Sequence, residues 1–192
     1  MSHFQRIASG VNVTPLMLAI ARRPDLWKED TYLRDYPQGP FGEVESIMLR
    51  FPEKRVFEQE AEVEAYKRGE HFYDQHESID YPAYKVLTEA RPLVMNVFAA
   101  VAGERLGRVI INKIKPGGRI YPHPDTHEHA SYFSRFHVVL QSAPGVVFRA
   151  GDEQTHWETG SVFWFNNAVE HEVINNSAVD RIHMVIDARC SQ

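Results

Sequence analysis

Residues 134–140 read Ser134-Arg135-Phe136-His137-Val138-Val139-Leu140, and residues 180–186 read Asp180-Arg181-Ile182-His183-Met184-Val185-Ile186. In an extended chain successive side chains leave opposite faces, so Arg135 and His137 share one face while Phe136 takes the other. Arg181 and His183 repeat the pattern around Ile182. Working outward, the whole stretch after Gly107 consists of short β-branched and aromatic runs: 108–115, 119–123, 133–142, 146–150, 154–158, 161–166, 170–175 and 181–188. Turn residues separate them, namely Pro116-Gly117-Gly118, Pro144-Gly145, Gly151-Asp152, Gly160 and Asn175-Asn176-Ser177, and each supplies backbone geometry a strand cannot continue through. About eight such strands predict a mostly β domain of the jelly-roll kind.

Upstream, residues 11–108 are mixed and mainly helical, a support layer for the sheets. Thr14 before Pro15 marks an N-cap with proline at the first helical position, and the helix ends at Pro24. Residues 46–51 (SIMLRF) read as a strand, 56–68 as an acidic helix, and 81–102 as helix broken near Pro92. The run Glu58, Glu60, Glu62, Glu64 is read as a solvated helix face, not a cation site. At 192 residues the chain has the size of one domain, with 1–107 as support and 108–189 as the core.

The composition excludes several functions. With 21 Lys and Arg against 26 Asp and Glu, the net charge is −5, and no basic field exists to hold bulk nucleic acid. The single cysteine, Cys190, excludes a disulfide framework or multi-cysteine metal site and fits a reducing compartment, so cytoplasm is expected. No run approaches the roughly 20 apolar residues of a membrane span, and the start MSHFQRIASG does not read as a leader. Five of the ten histidines fall between His123 and His156, which points to metal chemistry.

In Tyr121-Pro122-His123-Pro124-Asp125 the histidine and aspartate are two apart, so on an extended backbone both can reach one ion. His171, opening a later strand, supplies a third donor from across the barrel. Two imidazoles and a carboxylate on one side of an ion leave open positions opposite, the arrangement of non-haem iron(II) oxygenases. A solvated loop also accommodates His-x-Asp, so the reading rests on company. Arg135 and Arg181 sit where a packed core wants apolar residues, unless they face the wet side of their strands. Buried guanidinium demands an anion, which a dicarboxylate would supply.

These motifs together, Lys115-Pro116-Gly117-Gly118 leading to His123-Pro124-Asp125, then Arg135-Phe136-His137, Gly160 to Asn167, His171-Glu172-Val173-Ile174-Asn175 and Arg181-Ile182-His183, resemble the aspartyl/asparaginyl β-hydroxylase family. These are 2-oxoglutarate- and iron(II)-dependent oxygenases with a double-stranded β-helix, a cupin-like jelly roll. The resemblance spans roughly 80 C-terminal residues. It implies N-terminal helices packed on one sheet, iron ligands His123, Asp125 and His171, and Arg181, ten residues after His171, as anchor for the distal carboxylate of 2-oxoglutarate. It further implies Asn112 as a polar cosubstrate contact, and Arg135 and His137 facing the metal-chelating end. The implied reaction consumes O2 and 2-oxoglutarate, releases succinate and CO2, and hydroxylates an unactivated C–H bond, by analogy that of an amino-acid side chain, free or in a peptide.

Two readings compete: a catalytically silent jelly roll that binds a carboxylate ligand, and a cupin-like enzyme using another divalent metal without 2-oxoglutarate. Arg181 separates them, since the second has no use for a buried anion clamp. His127 and His129 are read as solvated or at the substrate mouth, with a zinc site shared with His123 as the alternative. Trp157 and Trp164 are read as packing.

Overall fold

The computed structural model describes residues 2–36, 39–54, 59–70, 74–125 and 128–191. In chain order the elements are β1 (Phe4–Ala8), α1 (Thr14–Ala21), α2 (Leu26–Glu29), α3 (Tyr32–Asp35), β2 (Val44–Phe51), α4 (Glu60–Lys67), β3 (Ile79–Asp80), α5 (Pro82–Val86), α6 (Ala90–Ala100) and β4 (Gly103–Ile114). There follow β5 (Arg119–His123), α7 (Glu128–Tyr132), β6 (Ser134–Gln141), β7 (Val146–Ala150), β8 (Glu153–Thr155), β9 (Val162–Phe165), β10 (His171–Asn175) and β11 (Arg181–Cys190). The strands form a seven-stranded sheet, β1-β9-β6-β11-β4-β2-β3, and a four-stranded sheet, β5-β10-β7-β8, with antiparallel pairing throughout. This is the mostly β, cupin-like architecture expected.

Period-two alternation divides the core. On the outer face of the large sheet Phe136, Val138 and Leu140 of β6 and Ile182, Met184 and Ile186 of β11 pack with Leu16, Ile20, Leu93 and Val94 from the helices. Helices α1, α2, α5 and α6 thus cover one sheet, burying their apolar residues against an apolar sheet face. On the inner face Val44, Ile114, Val139, Phe163 and Phe165 meet Ile120, Phe148 and Val173 of the small sheet. Trp157 stacks between Phe148 and Phe163, at 4.5 and 4.6 Å between centroids, and Trp164 lies against the outer core.

Gly145 shows why a turn glycine is required: its φ is +104°, and a Cβ there would lie 2.9 Å from the Asn176 carbonyl oxygen.

Four details differ from the sequence reading. Thr14 is the first helical residue and Val13 the N-cap, because Asn12 Oδ1 already accepts the Thr14 amide at 3.1 Å. α6 runs unbroken through Pro92; a proline in the first turn removes an amide that has no helical partner anyway. α4 begins at Glu60, with Glu58 outside the described residues. The short edge strands β1 and β3 and the short helices α2, α3 and α7 are additions, each too brief for periodicity to register.

Ile111 is fully buried and pairs with both Met184 and Ile47. Ile111→Ala is expected to cost about 2–5 kcal/mol in urea denaturation; a loss below about 1 kcal/mol would contradict this core.

Candidate active site

β5 and β10 are neighbours in register, and that pairing sets His171 directly opposite His123, their ring centroids 4.4 Å apart. Asp125, two residues past the end of β5, is fixed by its amide donating to the Asn167 carbonyl at 2.9 Å. The ligating atoms of His123, Asp125 and His171 all lie within 4.8 Å of one another.

Hydrogen bonds set each donor atom. His123 Nδ1 donates to the Tyr121 carbonyl at 2.7 Å and His171 Nδ1 to the Val169 carbonyl at 3.0 Å, which leaves both Nε2 lone pairs free for an ion. Asp125 Oδ2 accepts from Asn167 Nδ2 at 3.1 Å and from Arg135 Nη1, while Oδ1 lies 3.8 Å from His123 Nε2. Burial pushes the His171 imidazole down to about 4, so it is neutral at physiological pH, as a ligand must be.

The remaining candidates line the inner face of the large sheet. Arg181 is 1% exposed, and burial lowers its pKa to about 9. Its Nη2 donates to His183 Nδ1 at 2.8 Å, and its Nε has no partner. Among the described residues it faces no carboxylate. His137 sits in a cage of Phe148, Trp157 and Phe165, 3.4 Å from His183 through the two Nδ1 atoms. Burial, then Arg181 and Arg135, hold it well below its usual range. Asn112 is buried, in register with His183, and accepts from Ser46 Oγ at 2.8 Å.

Arg135 faces the triad but is already engaged: besides Asp125, its Nε and Nη2 donate to Asp187 Oδ1 and Oδ2 at 2.8 and 3.1 Å. Asp187 is 2% exposed. Burial alone would raise its carboxyl, but Arg135 and His129 outweigh this and hold it well below the carboxylate range. His129 corrects the sequence reading: it is neither solvated nor grouped with His123, but buried, with Nε2 donating to Asp187 Oδ2 at 2.9 Å. His127 lies outside the described residues.

Asp187 and Asn167 are site residues that the sequence reading misses, although Asp187 continues the period-two series from Arg181 and His183. Asn167 carries no such signal, since it acts from a loop.

A donor set of two neutral imidazoles and one carboxylate suits iron(II). The orphaned Arg181 Nε, His137 Nε2 and His183 Nε2 are what a pocket for a buried dicarboxylate leaves unsatisfied without it.

A family model for aspartyl/asparaginyl β-hydroxylase matches residues 53–190. The chain belongs to that family. The match reaches upstream of residue 108 and takes in α4, α5 and α6, while α1, α2 and α3 lie outside it. The family comprises 2-oxoglutarate- and iron(II)-dependent hydroxylases, and this hydroxylase carries the full His-x-Asp…His triad. The fold is similar to that of a Pseudomonas putida prolyl-4-hydroxylase (TM-score 0.52, 13% identity, covering 99% of this chain and 94% of that one). It is also similar to the viral collagen prolyl hydroxylase of Paramecium Bursaria Chlorella virus-1 in its 2OG complex (0.51, 9%, 100% and 97%). A Burkholderia pseudomallei oxidoreductase of the 2OG-Fe(II) oxygenase family matches less fully (0.50, 14%, 76% and 66%). No curated protein matches the sequence.

Acid is expected to destabilise the metal-free hydroxylase. The ordinary histidine value is 6.5 and that of folded His171 about 4, so in this window the unfolded chain binds more protons and stability falls as pH drops. His171 alone accounts for about 3 kcal/mol, and buried His137 and His183 act in the same direction. The urea midpoint should decline from pH 6.5 to 4, less steeply in His171→Gln; a flat midpoint would contradict it.

Proposed function

We propose that the protein hydroxylates an unactivated C–H bond of an amino-acid side chain, free or in a peptide, using iron(II), 2-oxoglutarate and O2. The observation that carries this is the conjunction, between the two sheets, of a three-donor triad on the small sheet and, on the large one, a buried guanidinium without a carboxylate partner among the described residues. When bound, iron and 2-oxoglutarate supply the oxidant, converting O2 and 2-oxoglutarate to succinate, CO2 and one hydroxyl group on the substrate.

The chain's own residues place and protect that chemistry. His123, Asp125 and His171 would hold the ion from one side only, leaving the opposite side for cosubstrate and O2. Arg181 would take the distal carboxylate through two parallel hydrogen bonds, with Asn112 and His183 beside it. Arg135 would keep Asp125 turned toward the ion and present positive charge to the chelating end, and His137 would close that wall. The aromatic cage of Phe148, Trp157 and Phe165 excludes water from the interior. Arg181 favours this reading over another-metal cupin, and the complete triad favours it over a silent carboxylate binder. One half-buried cysteine, Cys190, suits a reducing cytoplasm.

Asp125→Ala is expected to abolish succinate formation while the protein stays folded by circular dichroism; full turnover would refute the triad. Arg181→Ala should raise the 2-oxoglutarate KM roughly 10- to 100-fold, the loss of a charged hydrogen-bonded contact, and an unchanged KM would remove the anchor.

A further inference from the structure

Two buried histidines outside the triad, His137 of β6 and His183 of β11, stand beside Arg181, and their hydrogen bonds fix where each carries its proton. Arg181 Nη2 donates to His183 Nδ1 at 2.8 Å, and a guanidinium has donors only. His183 Nδ1 is therefore a lone pair, and in the neutral ring Nε2 holds the proton. The same Nδ1 lies 3.4 Å from His137 Nδ1. Two facing lone pairs would repel, so His137 Nδ1 carries a proton and donates to His183. Neutral His137 is thereby left with a bare lone pair at Nε2, buried and without a partner.

That lone pair is the wrong group for an anion. The other orphaned nitrogens near it, Arg181 Nε, His183 Nε2 and Trp157 Nε1, are all N–H donors. 2-Oxoglutarate at neutral pH is a dianion whose carboxylate and keto oxygens only accept. Neutral His137 cannot move its proton to Nε2 without setting its Nδ1 lone pair against that of His183, and His183 cannot yield because Arg181 occupies it. The charged and titratable groups acting on the pair are Arg181 and Asp187 of β11, Arg135 of β6, His171 of β10 and, toward His183, His156. From β4, β7 and β9 come Asn112, Phe148, Phe163 and Phe165, none of which titrates. Burial, then Arg181 and Arg135, keep His137 neutral while no anion is bound; a dianion beside Arg181 reverses that balance.

We propose that His183 is a positioning residue that ties cosubstrate binding to a proton: by accepting from both Arg181 and His137, it obliges 2-oxoglutarate to bind with uptake of one proton from solvent, held at His137 Nε2 and donated to a cosubstrate oxygen. One N–H bond forms, and no bond of the cosubstrate breaks. This rests on the hydroxylase function proposed above. By linkage, affinity for 2-oxoglutarate falls about tenfold per unit rise in pH wherever His137 is charged in the complex and neutral without it.

Calorimetry of the zinc(II)-loaded protein tests this without turnover, since zinc is redox-inactive and holds His123 and His171 neutral. Titration with 2-oxoglutarate near neutral pH, in buffers of different ionisation enthalpy, should show uptake of about one proton per site. His137→Gln, whose amide donates without titrating, should bind with uptake near zero. His183→Leu should do the same, because it frees neutral His137 to carry its proton at Nε2. His183→Asn, whose amide oxygen replaces the Nδ1 acceptor, should restore the uptake, which a merely structural role would not do. Uptake near zero in wild type, undiminished in His137→Gln or His183→Leu, or unrestored in His183→Asn overturns the proposal. Should a variant fail to fold, nitrogen-15 NMR of the wild-type histidines decides: His137 protonated at Nδ1 alone without 2-oxoglutarate and at both nitrogens with it is expected, and any other pair of states overturns the proposal. A folded, zinc-loaded wild type that binds no 2-oxoglutarate sinks the hydroxylase reading and this proposal with it, whereas binding without proton uptake sinks this proposal alone.

Discussion

Asp187, buried on the inner face of the large sheet, fixes the arginine that orients the carboxylate of the triad. Its two oxygens clamp Arg135 and receive His129, and Arg135 in turn reaches Asp125. A carboxylate buried this deeply survives only with its lone pairs filled and its charge matched, and here the match orients a candidate metal ligand. Asp125 therefore offers one oxygen to the ion side and keeps the other tied to Arg135 and Asn167. Arg108 of β4, on whose charge Asp187 and Arg135 also act, has no carboxylate partner among the described residues.

The compartment beneath the inner face of the large sheet carries an unusual burden. Arg108, His129, His137, Trp157, Arg181 and His183 each leave a buried nitrogen without a partner among the described residues. A protein interior tolerates few such groups, and their concentration in one compartment marks where ligands belong. The outer face, packed against the helices, is apolar, including Ile111 and Met184, whereas the inner face carries both an apolar core around Val139, Phe148 and Phe165 and the polar site residues.

Much of this is legible in the chain. All eight strands read after Gly107 are present, because alternation and turn chemistry are local and strong there. The pairing of Arg135 with His137 and of Arg181 with His183 follows from parity alone. His129 reads wrongly because its burial depends on α7 folding back to Asp187, a contact 58 residues away in sequence. Asp187 shares the parity of Arg181 and His183, yet an aspartate near a strand end reads equally well as solvent-facing. Asn167, and the choice between Asp187's two possible arginine partners, depend on three-dimensional competition that no local pattern encodes. Upstream, helix boundaries differ by a few residues at Thr14 and near Pro92, where caps and first-turn prolines act through single hydrogen bonds.

The central claim is that one pocket holds iron(II) and 2-oxoglutarate together. Anaerobic titration of the iron(II)-loaded protein with 2-oxoglutarate, followed in the visible region, tests it most directly. A metal-to-ligand charge-transfer band that saturates at one equivalent and is absent in His171→Ala is the predicted result. Stable iron binding by the folded wild-type protein with no such band would contradict it.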